Sequence, residues 1–370
     1  MKIAIMAPLV TAIREPQRGG SQAFVSDLAR GLAGRGHDVH VYAAAGSEIP
    51  GVAVIDTGVD PGALAGTLYR ASGPATGALP AAGARGDGGP DAAAAAESAF
   101  RTVYTAVQAT RYDVVHNHAF DAPAVRHAAA LHAPVVHTLH LPPDTAVSAA
   151  LRDAVRSGRP PAAAVVSEFQ ARAWRRVVPV QAILPPYPPT GVIPWSARPG
   201  QGALFAGRLS PEKGTAEAID IARAAGVPID VFGDVYDPGY SREQIDPRRS
   251  WPGVTVRPAV PRTVLWQAMA RAAVVLFPAR WDEPFGMVAA EAQACGTPVI
   301  AFQCGGLSEV IMDGVTGFLA PPGDLDAAAG AVPKVAGLSR SACREHAQDH
   351  LDLDLTLDAH ERLYRRVADG

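Results

Sequence analysis

The stretch that decides the fold is ALFAGRLSPEKGTAEAIDIARAAG, residues 203–226. An apolar run of strand length leads into a turn bounded by Pro211 and Gly214, and a helical pattern follows the turn. A strand that enters a helix through a short loop is half of a βαβ unit, and such units build parallel sheets. Two cations, Arg208 and Lys213, lie in the turn, at the carboxyl end of the predicted strand.

The same alternation of apolar runs and helical patterns continues on both sides of this stretch. A helix is predicted from about Ser21 to Ala33, and the strand-like runs are KIAIMAP, HDVHVYAA, YDVVHNH, APVVHTLH and AAAVVSE upstream, then PIDVFGD, GVTVRPAV, AAVVLFPAR and TPVIAFQ downstream. Runs rich in Val and Ile between helices are typical of parallel sheets that are buried on both faces. The 370 residues are enough for two such α/β domains.

Breaks in composition predict the domain boundaries. Residues 61–96 are rich in Gly, Pro and Ala and almost free of large apolar side chains, which predicts a mobile insertion. Prolines crowd residues 185–200, where we predict a stiff linker. The remaining chain then divides into an N-terminal domain at 1–184, a second domain at 201–345, and a C-terminal helix at 346–370 that packs one face on the first domain.

The composition excludes several classes of function. Lys and Arg total 33 against 36 Asp and Glu, so no broad basic surface for nucleic acid is expected. The three cysteines have neither CxxC pairing nor metal-ligand spacing. The apolar start MKIAIMAPLV is too short for a secretory signal, and no window approaches the roughly 20 apolar residues of a transmembrane segment. We therefore expect a cytoplasmic protein.

Arg208 and Lys213 are the first candidates for a ligand site. Loops that leave the carboxyl ends of parallel strands bind ligands in open α/β folds. A planar guanidinium and a compact ammonium together suit a diphosphate. The alternative is that both are solvated loop cations, which is the commoner situation for such a pair taken alone.

A second candidate site lies in WDEPFGMVAAEAQACGTPVI, residues 281–300. Pro284 favours the start of a helix, and helix N-termini bind anions through free backbone N–H groups. Here those groups belong to Phe285, Gly286, Met287 and Val288. Glu283 would suit sugar hydroxyls and Glu291 a ribose, so a sugar nucleotide satisfies the whole set. Taken singly, each has a commoner role than ligand binding: Glu283 as a helix-end charge and Glu291 as a helix residue with its own partners.

Together the two motifs carry a resemblance to a known family. It rests on GRLSPEKG at 207–214 and, some seventy residues later, on EPFGMVAAEAQACGTPVIAFQCGGLSEVIMDGVTGFLAPPGD at 283–324. Over about residues 200–325 the chain resembles the donor-binding domain of retaining glycosyltransferases of family 4. The resemblance implies the GT-B fold, in which two Rossmann-like parallel-sheet α/β domains face each other across a cleft.

The resemblance also implies a role for each motif residue. Arg208 and Lys213 would bind the donor diphosphate. Glu283 would contact the donor sugar, Glu291 would contact the ribose, and the backbone that follows Glu283 would contact phosphate.

The first half of the chain resembles the opening of the same family through RGGSQAFVSDLARGLAGRGHDVHVYAA, residues 18–44. The resemblance implies that Gly19 and Gly20 let the backbone approach the donor phosphate. By itself the Gly pair is no more than a flexible loop. It is not a dinucleotide fingerprint, because no G-x-G-x-x-G run follows the first strand, and this weakens the case for a dehydrogenase.

Four histidines end two neighbouring predicted strands: His116, His118, His137 and His140. Strand alternation is expected to place each successive pair on one side of its strand. Zinc is an alternative that we disfavour, since no carboxylate or cysteine accompanies them at ligand spacing. The resemblance instead implies that His140 lies beside the anomeric carbon of the donor and that His118 lies near the acceptor.

The resemblance implies a retaining, metal-independent hexosyltransferase of bacterial biosynthesis without a cofactor. His140, Glu283, Arg208 and Lys213 are the expected catalytic residues, and a nucleoside diphosphate sugar, with UDP expected as its nucleotide, is the expected donor. The acceptor and the assembly state, including a homo-oligomer, are left open. Two alternatives also stay open: a sugar-nucleotide epimerase of the same fold and a non-catalytic nucleotide-sugar-binding protein.

Overall fold

The computed structural model of the chain describes residues 1–62, 64 and 89–369. The described chain divides into two compact units. The first contains the described residues up to Pro186 and those from Leu353 onward, and the second runs from Tyr187 to Asp352.

The first unit is built on a parallel sheet. Its described strands are β1 (Lys2–Met6), β2 (Asp38–Ala43), β3 (Ala53–Asp56), β4 (Val114–Asn117), β5 (Val135–Leu139), β6 (Ala162–Val165) and β7 (Val180–Ile183), and they are ordered β3-β2-β1-β4-β5-β6-β7. The helices between them are α1 (Gly20–Gly34), α2 (Gly89–Gln108), α3 (Ala122–Ala128), α4 (Thr145–Arg156) and α5 (Glu168–Trp174). Strands β4 and β6 are buried along their whole length, as expected of a sheet that is covered on both faces.

The second unit repeats this plan. Its strands are β8 (Ala203–Ala206), β9 (Ile229–Phe232), β10 (Val254–Arg257), β11 (Val274–Phe277), β12 (Val299–Phe302) and β13 (Gly317–Ala320), all parallel and ordered β10-β9-β8-β11-β12-β13. Its helices are α6 (Thr215–Ala224), α7 (Pro238–Tyr240), α8 (Asp246–Arg249), α9 (Arg262–Arg271), α10 (Met287–Ala294), α11 (Leu307–Val310), α12 (Leu325–Ala331) and α13 (Arg340–His350). Short 3₁₀ turns lie at Thr190–Val192, Pro211–Lys213 and Val332–Gly337, and a π turn at Ser241–Ile245.

The strand order reverses at one point in each sheet. That point lies between β1 and β4 in the first unit and between β8 and β11 in the second. Open α/β sheets bind ligands outside the carboxyl ends of the strands at such a switch point. The two motif loops of the second unit follow β8 and β11, so the fold brings them to its expected ligand-binding edge.

The segment 61–96, which we expected to be a mobile insertion, is described by the structure only near its two ends. Residue 63 and residues 65–88 lie outside the described residues. Residues 89–96 open α2, and Leu64 and Ala96 are buried in one cluster with Phe100 and Tyr104. Alanine has the highest helix propensity, and an Ala-rich run with an apolar stripe forms a helix that packs on the core. The expectation of an insertion was therefore wrong for 89–96.

The proline-rich segment that we expected to be a linker is bound to the second unit by two buried arginines. Arg344 donates to the carbonyl oxygens of Thr190 (2.9 Å) and Ala294 (2.7 Å). Arg340 donates to the carbonyl oxygens of Ser196 and Ala272, both at 2.8 Å. Each guanidinium offers five donors in a fixed fork, so backbone carbonyls can satisfy most of them without a carboxylate.

The C-terminal segment forms two helices rather than the single helix expected at 346–370. Helix α13 ends at His350 in the second unit, and a separate helix α14, Leu353–Ala368, belongs to the first unit. There α14 packs on α1, with Leu357 against Gly31, where a Cβ atom would come within 2.6 Å of the Leu357 side chain. Arg35 adds an ion pair to Asp358 at 2.6 Å.

Candidate functional site

The loop after β8 carries the first predicted cation pair. Residues Pro211–Lys213 form a 3₁₀ turn that ends at Gly214 with φ +71°, and α6 begins at the next residue. A Cβ atom on Gly214 would lie 1.9 Å from the carbonyl oxygen of Pro278, which follows β11. Only glycine fits this position, so Gly214 lets the loops after the two central strands pack together.

Arg208 is held on two sides but remains partly accessible. Its Nη2 lies 3.2 Å from Oε1 of the buried Glu212, and its guanidinium lies 4.2 Å from the ring centroid of Tyr236. The side chain is 28% exposed. This is an ordered, partly accessible guanidinium rather than a freely solvated loop cation.

Two glycines that follow β12, Gly305 and Gly306, anchor the loop after β11 at Glu283. The N–H of Gly306 donates to the carbonyl oxygen of Glu283 at 2.7 Å. A Cβ atom on Gly305 would lie 2.1 Å from the same oxygen, and Gly305 has φ +58°. The close approach of the two chains fixes the backbone from which the Glu283 carboxylate projects.

The side chain of Glu283 meets Lys213 and Trp281. Lys213 Nζ and Trp281 Nε1 each lie 2.7 Å from Glu283 Oε2, and Lys213 Nζ also lies 5.0 Å from the ring centroid of Trp281. Glu283 is 9% exposed. The structure thus brings together Glu283 and one of the two predicted cations, and it adds Trp281, which the sequence did not single out.

Glu291 is the fifth residue of α10 and is buried. Both Nε (3.0 Å) and Nη2 (2.7 Å) of Arg262 donate to its Oε1 atom. Arg262 opens α9, and its guanidinium lies 4.8 Å from the ring centroid of Trp266. Sequence reasoning missed Arg262, because 29 positions separate it from Glu291 and no motif links the two.

The start of α10 provides the predicted backbone N–H groups. Gly286 precedes the helix with φ +104°, and the first intrahelical bonds run from Ala289 and Ala290 to its carbonyl oxygen. The N–H groups of Gly286, Met287 and Val288 therefore have no acceptor within the helix, as is usual at the start of an α-helix. Phe285 is buried against the ring of Tyr187, with ring centroids 5.7 Å apart.

In the first unit, the predicted Gly pair opens a helix. Gly19 is the N-cap residue of α1 and Gly20 its first residue. A Cβ atom on Gly19 would lie 2.6 Å from Oε1 of Gln22, whose amide nitrogen donates to the hydroxyl of Thr11. The pair therefore lies at a helix N-terminus in the loop after β1, one of the two strands at the switch point of its sheet.

The predicted histidines form a buried cluster that includes only part of the expected set. Nδ1 of His118 and Nε2 of His140 are hydrogen-bonded at 3.0 Å, and the rings of His116 and His118 are 4.0 Å apart. His137 instead bonds the side chain of Asn117 at 2.6 Å. The expectation that His137 and His140 share one side of their strand was wrong, because three positions is an odd spacing and alternation then reverses the face.

Helix α14 adds two side chains to this cluster that the sequence analysis did not connect with it. The hydroxyl of Tyr364 lies 2.6 Å from Nδ1 of His116, and the ring of His360 lies 5.4 Å from that of His116. Phe24 of α1 packs edge-on against His118 and His140. The sequence predicted only that one face of the C-terminal helix is packed, and a helical period does not say which side chains that face meets.

Burial lowers the pKa of every histidine in the cluster. It lowers the pKa of His140 and His360 to about 4, with repulsion from His360 adding to the effect at His140. The pKa values of His116 and His118 lie well below their usual range, chiefly through burial and then through neighbouring imidazoles. These side chains are neutral near pH 7 and act there as hydrogen-bonding groups.

Two wider searches cover the described part of the chain. Within residues 1–62, 64 and 89–369, no three His, Cys, Asp or Glu side chains are arranged to hold a metal ion. Among the helices that the structure describes, none combines the length and apolar character that a bilayer crossing requires.

Comparison with known proteins gives the family. Residues 200–349 match the family described as Glycosyl transferases group 1, and residues 18–186 match Glycosyltransferase Family 4. The chain belongs to these glycosyltransferases. The two matched ranges fall on the second and the first unit, so both units of this family 4 chain carry the family pattern.

Individual relatives of this glycosyltransferase chain align with only part of it. A D-inositol 3-phosphate glycosyltransferase of Segniliparus rotundus is 39% identical over 128 residues, which are 32% of this chain and 28% of that protein. Further relatives of that name align over 18% to 38% of their own length. The matches to these relatives thus span well under half of each.

Solved structures support the GT-B fold. A sucrose-phosphate synthase from Thermosynechococcus elongatus superimposes with a TM-score of 0.75 at 19% identity, covering 99% of both chains. Anabaena Alr3699/HepE in complex with UDP-glucose superimposes with a TM-score of 0.67 at 19% identity, covering 100% of this chain and 98% of that one. At these identities the likeness concerns the fold: two parallel-sheet α/β domains of the GT-B class.

Proposed function

We propose that the protein transfers a sugar from a nucleoside diphosphate sugar to a hydroxyl group of a small-molecule or glycan acceptor, with retention of anomeric configuration. One observation carries the proposal. Lys213 and Glu283 meet at the switch point of the second sheet, where the loop of Lys213 also carries Arg208 and the loop of Glu283 leads into α10. This is a set of anion donors next to a carboxylate that can accept from hydroxyls.

The diphosphate is assigned to the cationic part of this set. Arg208 offers a planar fork and Lys213 a mobile point charge, and the helix start adds backbone donors. These groups can neutralise the charge that develops on the leaving diphosphate, which is the task that a divalent ion performs in other transferases. We therefore propose donor binding and turnover without a metal ion.

The two carboxylates are assigned to the hydroxyl groups of the donor. Oε2 of Glu283 is held by Lys213 and Trp281, which leaves Oε1 as the oxygen proposed to accept from the sugar. Glu291 is proposed to accept from the ribose, with its Oε1 already bound by Arg262. Acceptor-only carboxylates placed at the sugars rather than at the phosphates avoid repulsion from the diphosphate.

The proposed chemistry needs no nucleophilic side chain. The acceptor oxygen bonds to the anomeric carbon on the face that the phosphate leaves. The bond from that carbon to the phosphate oxygen breaks with its electron pair, and the leaving phosphate accepts the acceptor's proton. Because its imidazole is neutral near pH 7 and hydrogen-bonded to His118, His140 is proposed to orient the reacting sugar by hydrogen bonding. Gly19 and Gly20 are proposed to approach the donor phosphate, and His118 to act on the acceptor side through His140.

A transfer assay tests this function. UDP-, ADP- and GDP-glucose are each incubated with the protein and a panel of acceptors that includes inositol 3-phosphate. The Anabaena neighbour suggests UDP-glucose and the relatives suggest inositol 3-phosphate, while the other two donors test the choice of nucleotide. Nucleoside diphosphate release and a product with the donor's anomeric configuration by proton NMR are expected. Solvent deuterium entering the donor sugar without acceptor would indicate an epimerase, and donor binding without any turnover would indicate a binding protein.

A further inference from the structure

Trp281 contacts both members of the central ion pair. Its indole N–H donates to Oε2 of Glu283 at 2.7 Å, and its ring centroid lies 5.0 Å from Nζ of Lys213. Trp281 and Glu283 are both buried, and 19% of the Lys213 side chain is exposed. One aromatic side chain therefore holds a carboxylate and faces the cation that neutralises it.

Binding of a diphosphate would place competing demands on Lys213. Its ammonium is a point charge on a flexible four-carbon stem, and phosphate oxygens would draw it away from Glu283. Without a second partner, the carboxylate would then be a buried charge that is free to change rotamer. An indole has two side-chain torsions and a fixed N–H, so it can keep its bond to Glu283 while Lys213 moves.

The surroundings leave only the side chain of Glu283 to be positioned. Its carbonyl oxygen is fixed by the N–H of Gly306 at 2.7 Å. The neighbour of Trp281 in the chain is also fixed, since the N–H of Arg280 donates to the carbonyl oxygen of Glu212 at 2.9 Å. With both backbones fixed, the indole N–H is placed to decide the direction of the carboxylate.

We propose that Trp281 is a positioning residue that keeps the Glu283 carboxylate directed at the donor sugar when Lys213 turns to the diphosphate. This inference rests on the proposed function of the site. It assigns to Trp281 a contribution to binding of the sugar half of the donor and none to binding of the nucleotide half.

A double-mutant cycle on binding tests the assignment. Dissociation constants for UDP and for UDP-glucose are measured by titration calorimetry with wild type, Trp281→Phe, Glu283→Ala and the double variant. Phenylalanine keeps a ring beside Lys213 and removes the N–H. Because hydrogen bonds to charged groups are worth more than neutral ones, we expect Trp281→Phe to weaken UDP-glucose binding about tenfold and UDP binding less than twofold. In the Glu283→Ala background the same change should alter UDP-glucose binding less than twofold.

The matched control is Trp251→Phe, which changes a tryptophan between α8 and β10 that stacks on Arg223 at 4.1 Å. It should leave both dissociation constants unchanged. An equal loss from Trp281→Phe in both backgrounds, or an equal loss for UDP and UDP-glucose, would overturn the inference and leave a purely structural tryptophan. If the wild type binds UDP, but Glu283→Ala binds UDP-glucose as tightly as the wild type does, the assignment of Glu283 to the donor sugar fails. If it binds neither UDP nor UDP-glucose, the proposed UDP-sugar donor fails and the inference fails with it.

Discussion

Lys213 and Glu283 form an ion pair, with Nζ and Oε2 2.7 Å apart, although 70 positions separate them in the chain. The pair joins the loops after β8 and β11. Gly214 lets the first of these loops approach Pro278 in the second, and Gly305, in the loop after β12, packs against the backbone of Glu283. The two charges stabilise each other in a poorly solvated place. Under the proposed function, a ligand replaces this ion pair by supplying phosphate to Lys213 and hydroxyl groups to Glu283.

The cation pair should be essential for turnover and dispensable for folding. Arg208→Ala and Lys213→Ala should each reduce kcat about a hundredfold, since each removes one preorganised contact to developing charge. The double variant should lose less than the product of the two, because both cations serve one diphosphate. Steady-state kinetics would check this, with Arg249→Ala and Lys334→Ala as controls, because both side chains lie on the surface of the same unit. Control variants as slow as the site variants would contradict the assignment.

Glu283→Gln should separate the two halves of the donor. The amide keeps the shape of the carboxylate but loses its charge, so sugar hydroxyls meet a weaker acceptor and Lys213 loses its ion-pair partner. We expect unchanged or tighter binding of the nucleoside diphosphate together with a drop in kcat of about tenfold or more. Calorimetry and kinetics on one preparation would check both. Full turnover would return Glu283 to the role of a helix-end charge.

Arg262→Ala should destabilise the second unit. Its Nε and Nη2 atoms both donate to Oε1 of the buried Glu291, and removing one partner of such a pair typically costs about 3–5 kcal/mol. Thermal unfolding should show a lower Tm for Arg262→Ala, and the exposed-pair variant Arg249→Ala should unfold like the wild type. The double variant Arg262→Met/Glu291→Leu removes both charges and should recover much of the stability. A Tm of Arg262→Ala equal to that of wild type would exclude a stabilising role for the pair.

The histidine cluster should make the first unit sensitive to acid. In the folded chain the pKa of His137 is about 3, and those of His140 and His360 are about 4, chiefly because of burial, whereas an unfolded histidine titrates near 6.5. Between these values the unfolded state binds more protons, so stability is full above about pH 6.5 and falls as the pH drops towards 4.

Each such histidine contributes a slope of about 1.4 kcal/mol per pH unit in that window. Thermal unfolding from pH 8 to pH 5 measures the summed pH dependence of stability. The variant His360→Asn should reduce that dependence by the contribution of one histidine. The variant His350→Asn, at an exposed position, should leave the slope unchanged. A Tm that is flat or rises on acidification would show that the cluster is charged or solvated in the folded protein.

Periodicity and turn chemistry were sufficient to predict the parallel sheets and the ends of the strands that carry the site. Arg208, Lys213 and Glu283 could be proposed as site residues because each lies in a loop after a predicted strand and because the surrounding motifs resemble those of a known family. Trp281, Arg262 and His360 could not, because their importance comes from partners on other elements, and local patterns do not encode which faces meet. The first turns of α2 were misread for a related reason: alanines lack the bulk that marks a core in sequence, yet Ala96 packs in one cluster with Phe100.

The most direct test of the donor site is calorimetric titration of UDP, ADP and GDP into the protein in the presence of EDTA, and again with magnesium. The account predicts that at least one nucleoside diphosphate binds with the same affinity under both conditions. It also predicts that Arg208→Ala and Lys213→Ala each weaken that binding about tenfold or more, while Lys334→Ala does not. Binding that requires magnesium, or that is the same in all three variants as in wild type, would contradict the assignment of Arg208 and Lys213 to the diphosphate.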